Sequence, residues 1–130
     1  MLAPDRLHGL RVVATPAALD AAVWQPAGIV LRIAADEALA IGSTDVQLID
    51  PHAIVEPESA FVGWWLDPVQ FAELVEPRLE WALPVARPAL AQGLVAGLPL
   101  KLWLESGRVL VVSSSGLAHE VLERLFGAAP

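Results

Sequence analysis

Between Pro99 and Glu105 the chain alternates: Leu100, Leu102 and Leu104 fall on one side, Lys101, Trp103 and Glu105 on the other. Successive side chains of a strand point to opposite faces, so this pattern predicts a strand with one apolar and one mixed face. Glu105-Ser106-Gly107-Arg108 reads as a tight hairpin, and Val109–Val112 as its return strand. Ahead of it, Ala91–Ala96 is a further strand, joined to the alternating segment around Gly97. Behind it, the serines of Ser113–Gly116 stand where a helix is capped, and Leu117, Val121, Leu122 and Leu125 form the apolar stripe of a closing helix.

The rest of the chain is punctuated by proline. Leu10–Ala14 is a short strand, and Thr15-Pro16 places a capping residue and a proline where a helix over Ala17–Val23 begins. Trp24-Gln25-Pro26 ends that helix. Gly28–Ile33 and Leu39–Gly42 are strands joined through the turn Ala35-Asp36-Glu37, and Thr44–Ile49 is a weaker strand. Asp50-Pro51 and Glu56-Pro57 bracket His52–Val55, an edge or loop segment, because proline cannot donate to a ladder. Ala60–Leu66 is a strand. Asp67-Pro68-Val69-Gln70 then spells a capping box with proline at the first helical position. The helix that follows carries Phe71, Leu74 and Val75 inward and Glu73 and Glu76 outward, and Pro77 ends it. Arg78–Leu83 is expected to continue as a second helical piece. No repeat, low-complexity tract or linker separates these elements. They predict a single α+β domain over residues 1–130, with an antiparallel or mixed sheet and two main helices.

Composition narrows the function classes. Hydrophobic residues make up 55% of the chain, yet no apolar run approaches the ~20 residues needed to cross a bilayer. The N-terminus lacks the apolar stretch of a secretory signal, so a cytoplasmic, non-membrane protein is expected. The absence of cysteine excludes disulfides, thiol nucleophiles and Cys-ligated metals. A formal net charge of −7, with the eight cations dispersed, argues against nucleic acid as a ligand.

Reactive chemistry is sparse. His8, His52 and His119 are far apart and in no metal-ligand spacing. Val112-Ser113-Ser114-Ser115-Gly116 lacks the Gly-x-Ser-x-Gly context of a nucleophile elbow. The glycines match neither a P-loop nor a dinucleotide fingerprint. No residue is assigned a catalytic or metal-binding role. The tryptophans are more informative. Trp64 and Trp65 are adjacent in one strand and so point to opposite faces, one of them away from the core. Trp103 shares its strand face with Lys101 and Glu105, and an indole on a polar face marks either an interface or a surface covered by a helix.

From Trp65 to Leu125 the order of segments resembles the gamma-subunit family of heterotetrameric sarcosine oxidases, small relatives of the folate-binding fold of glycine-cleavage T-proteins and of the tRNA-modifying GTPase N-terminal domain. The likeness rests on Leu66-Asp67-Pro68 and the helix QFAELV, on Ala91–Pro99 followed by Leu100-Lys101-Leu102-Trp103, and on the hairpin, VLVV, serine junction and Ala118 helix. Upstream, Leu31–Leu39 is similar to that family's strand, acidic turn and strand. The resemblance implies a β-α-β-β-α-β-like order in the second half and no redox cofactor of the chain's own. It implies an accessory role beside a larger oxidase chain or a second copy, so that any sarcosine-like amine oxidation belongs to the complex. Trp64, Trp65, Arg87, Gln92 and Trp103 are the binding or interface residues this reading selects. The alternative is a small-molecule module taking folate or a related one-carbon carrier, with Arg87, Gln92 and Trp103 as its polar and stacking groups.

Overall fold

The computed structural model describes residues 2–127. Its contacts divide the chain into two units, one spanning Leu7–Ala60, the other taking the first residues and everything from Phe61 onward.

In the Leu7–Ala60 unit, β1 (Asp5–Val13) pairs antiparallel with β4 (Glu37–Ile41), which pairs in turn with β3 (Ile29–Ala34). A bulge between Leu31 and Ala34 breaks the β3–β4 register beside the Ala35-Asp36 turn. Between β1 and β3 lie α1 (Pro16–Asp20) and β2 (Val23–Gln25), and β2 forms a two-stranded ribbon with β5 (Asp45–Gln47). Thr15 caps α1 by accepting from the Ala18 N–H, with Pro16 in the first turn, as its sequence demands. The helix stops at Asp20, because Val23–Gln25 pairs with β5 instead of extending it. Leu10 and Val12 of β1, Ala38 of β4 and Ala18 and Leu19 of α1 form the core of this unit.

β6 (Ile54–Leu66) begins in this unit and ends in the other. It runs through Pro57, which the sequence reading takes as a boundary. Residues 54–57 are exposed, so a missing N–H costs little there. From Phe61 on, the order is β6, α2 (Pro68–Leu74), β7 (Ala89–Val95), β8 (Leu98–Leu104), β9 (Val109–Ser114) and α3 (Ala118–Leu125). The strands lie β6-β9-β8-β7, all antiparallel.

The sheet is antiparallel, as expected, but among the described residues strand predominates over three short helices of five, seven and eight residues, so the expected α+β domain with two main helices holds only loosely. The second half runs β-α-β-β-β-α, in place of the β-α-β-β-α-β-like order the resemblance implies. The cause is local: three strands follow one another through tight turns at Ala96-Gly97 and Ser106-Gly107 before a helix forms. Arg78–Leu83 is not helical either. α2 ends at Leu74, a 3-10 turn over Glu76–Arg78 carries the chain through Pro77, and Leu79, Trp81 and Leu83 pack against the core from irregular chain.

The core of this unit lies on one face of its sheet. Leu98, Leu100, Leu102 and Leu104 of β8, Val109 and Val111 of β9 and Trp64 and Leu66 of β6 meet Phe71 and Val75 after the capping box and Val121 and Leu125 of α3. Both helices thus contribute their buried side chains to the Leu100 face.

Candidate functional site

The opposite face of β6-β9-β8-β7 gathers most of the aromatic and cationic residues singled out above. Register places Leu90, Trp103, Leu110 and Trp65 directly across from one another on four successive strands. The next row is Gln92, Lys101, Val112 and Gly63. With strands spaced ~4.8 Å apart, the Trp65 and Trp103 backbones lie two strands, or roughly 10 Å, apart. Leu110 between them and Val112 in the next row are buried, whereas both indoles are half-buried and Leu94 at the β7 edge is exposed.

The hairpin after β8 ties the two indoles together. Trp103 Nε1 donates to Glu105 Oε2 at 2.8 Å, and Arg108 Nε donates to Glu105 Oε1 at 2.8 Å. The Arg108 guanidinium carbon lies 3.6 Å from the Trp65 ring centroid, a cation–π contact. One carboxylate thus orients an indole directly and, through Arg108, caps a second one. The Arg108 bond, more than the weaker Trp103 bond, holds the Glu105 carboxyl below its ordinary pKa, against the opposing effect of partial burial. In the next row Lys101 Nζ donates to Gln92 Oε1 at 3.1 Å and stands 5.7 Å from the Phe61 ring centroid.

The expected site residues separate cleanly. Trp65, Gln92 and Trp103 share this face. Trp64 does not: it is 1% exposed in the core, edge-on to Phe126 with centroids 5.4 Å apart, and its Nε1 has no hydrogen-bond partner among the described residues. Arg87 is exposed in the irregular segment before β7, where its Nη1 donates to the carbonyls of Pro84 and Ala86 at 2.6 and 2.9 Å. Arg108 and Phe61 were not singled out by the sequence, although Arg108 stands three residues after Glu105 across a tight turn, which was the available signal.

Elsewhere the chemistry stays sparse. Among the described residues no group of three or more His, Asp or Glu is placed to hold a metal ion. His119 pairs with Glu123 one helical turn away, and the His52 backbone N–H donates to Asp50. The serines do not cap α3: β9 extends through Ser114, the Ser113 hydroxyl donates to the Ser114 carbonyl, and a 3-10 turn over Ser115–Leu117 leads into the helix without a side-chain cap. A hollow of about 460 Å³ in the Leu7–Ala60 unit brings His8, Ser43, Thr44 and Glu58 to one wall. The buried Ser43 hydroxyl there donates to the Pro26 carbonyl, a structural role. Among the described residues no helix is long and apolar enough to cross a membrane.

Comparison with protein-family models, with curated proteins and with solved structures finds no match to this chain.

Proposed function

We propose that this chain is a non-catalytic interaction domain, an accessory subunit of the kind its resemblance to sarcosine oxidase gamma chains implies, and that it binds a larger partner chain through the Trp65–Trp103 face. The observation that carries this reading is the Trp103–Glu105–Arg108–Trp65 linkage. Large aromatic groups dominate binding energy where they are fixed before the partner arrives, since little side-chain entropy is then lost on association. The half-buried indoles and the exposed Leu94 supply the apolar surface, and Gln92, Lys101 and Arg108 a polar surround, the arrangement of an interface core and rim.

The test is to capture the tagged chain with its associated proteins from the native host, identify the larger chain, and reconstitute the pair from purified components. Trp65→Ala and Trp103→Ala should each weaken that pair at least tenfold while the free domain keeps its cooperative unfolding. Unchanged affinity in both variants would remove this face as the binding surface.

A further inference from the structure

Among the described residues the two most exposed large apolar side chains are Ile49 at 94% and Val85 at 95%. They belong to features of opposite shape. Ile49 lines a groove of about 490 Å³ in the Leu7–Ala60 unit together with Ala17 and Ala18 of α1, Ala21 just after it, Val23, Leu48 and the polar Thr15 and Gln47. Val85 projects instead from the irregular segment between Trp81 and Pro88. That segment is held in shape by Arg87 donating to the carbonyls on either side of Val85.

The two features also carry opposite charge. Asp50 follows Ile49 and is tied to Thr15, which lines the groove: its Oδ2 accepts from the Thr15 N–H at 2.9 Å and its Oδ1 from the His52 N–H at 2.9 Å. Arg87 is the one charged residue from Trp81 to Pro88, and its guanidinium has donors beyond the Nη1 bonds. A convex apolar tip with a cation and a concave apolar trough with an anion, on one chain, are each other's complement.

We propose that copies of this chain associate head to tail, the Val85 loop of one copy seated in the α1–β5 groove of the next with its Arg87 beside Asp50. In a head-to-tail assembly one groove and one loop, at opposite ends, stay unfilled, so assembly continues until a ring closes. The contact uses neither Trp65 nor Trp103 and is independent of the function proposed above.

Sedimentation of the full chain over a range of concentrations tests it. The wild type should grow in mass beyond one copy as concentration rises. Ile49→Asp and Val85→Asp should each sediment as monomers, and their equimolar mixture should form one-to-one dimers that grow no further, because that mixture has one working groove and one working loop. Asp50→Arg and Arg87→Asp should each weaken association at least tenfold, and mixing these two should restore growth, because each variant's loop then meets a groove of opposite charge on the other. Ile49→Ser and Val85→Ser, with melting curves, separate lost docking from lost folding. A wild type that stays monomeric at its highest soluble concentration overturns the proposal. So does assembly of either aspartate variant alone, or a mixture of folded variants that remains monomeric.

Discussion

Trp64 and Trp65 show what a single position decides. They are adjacent, chemically identical and in one strand, yet pleating sends one into the core and leaves the other on the face with Trp103. The sequence made it evident that the two must part. It did not reveal which goes inward, because that depends on the register of β6 against β9, where Trp64 meets Val111 and Trp65 meets Leu110. Trp64 fills a large volume and keeps an unpartnered indole N–H. Trp64→Ala should therefore cost about 3–5 kcal/mol of stability in chemical denaturation. Trp64→Phe should cost distinctly less, since it removes a buried donor whose desolvation penalty is ~1–3 kcal/mol. Equal losses would mean that the orphaned N–H carries no penalty. Gly93 is a second such position. A Cβ there would lie 2.8 Å from Trp81 ring carbons, and Trp81 Nε1 donates to the Leu94 carbonyl at 2.8 Å. Gly93→Ala should displace Trp81 from β7 and cost about 1–3 kcal/mol, the range for overpacking, with a shift in tryptophan emission.

At the scale of elements, legibility followed how local the determining forces are. The capping box of α2 was readable because its partners are three residues apart, and both bonds are present: Gln70 N–H to Asp67 at 2.8 Å and Asp67 N–H to Gln70 at 2.9 Å. Asp67→Ala should cost about 0.5–2 kcal/mol, measured by urea unfolding. The faces of β8 were readable for the same reason. The serine junction was misread as a cap because Ser113 and Ser114 pair with Val62 and Phe61 of β6, a distant ladder that a local reading does not contain. Arg78–Leu83 was misread because its apolar residues serve the core from irregular chain, where spacing carries no helical information. The hairpin after β8 yields a pH prediction. Glu105 is held below its ordinary value of 4.5, so its contribution is complete above that pH and is lost as pH falls through the lowered value. Acid titration followed by tryptophan fluorescence should show Trp103 and Trp65 loosening on the acid side only. Glu105→Gln should abolish that transition, and its persistence in the variant would assign it to another carboxylate.

On the scale of the whole molecule, the chain concentrates its well-determined structure where it lacks reactive groups. The strands and helices from Phe61 onward place a helix-covered core on one face of a sheet and a preset aromatic surface on the other. That arrangement suits recognition. The most direct measurement is oxidative footprinting of the tryptophans, with the chain free and then bound to its captured larger partner. Trp65 and Trp103 should be labelled in the free chain and protected in the complex, with Trp64 unlabelled in both. A complex that forms while Trp65 and Trp103 label as they do in the free chain would contradict the account.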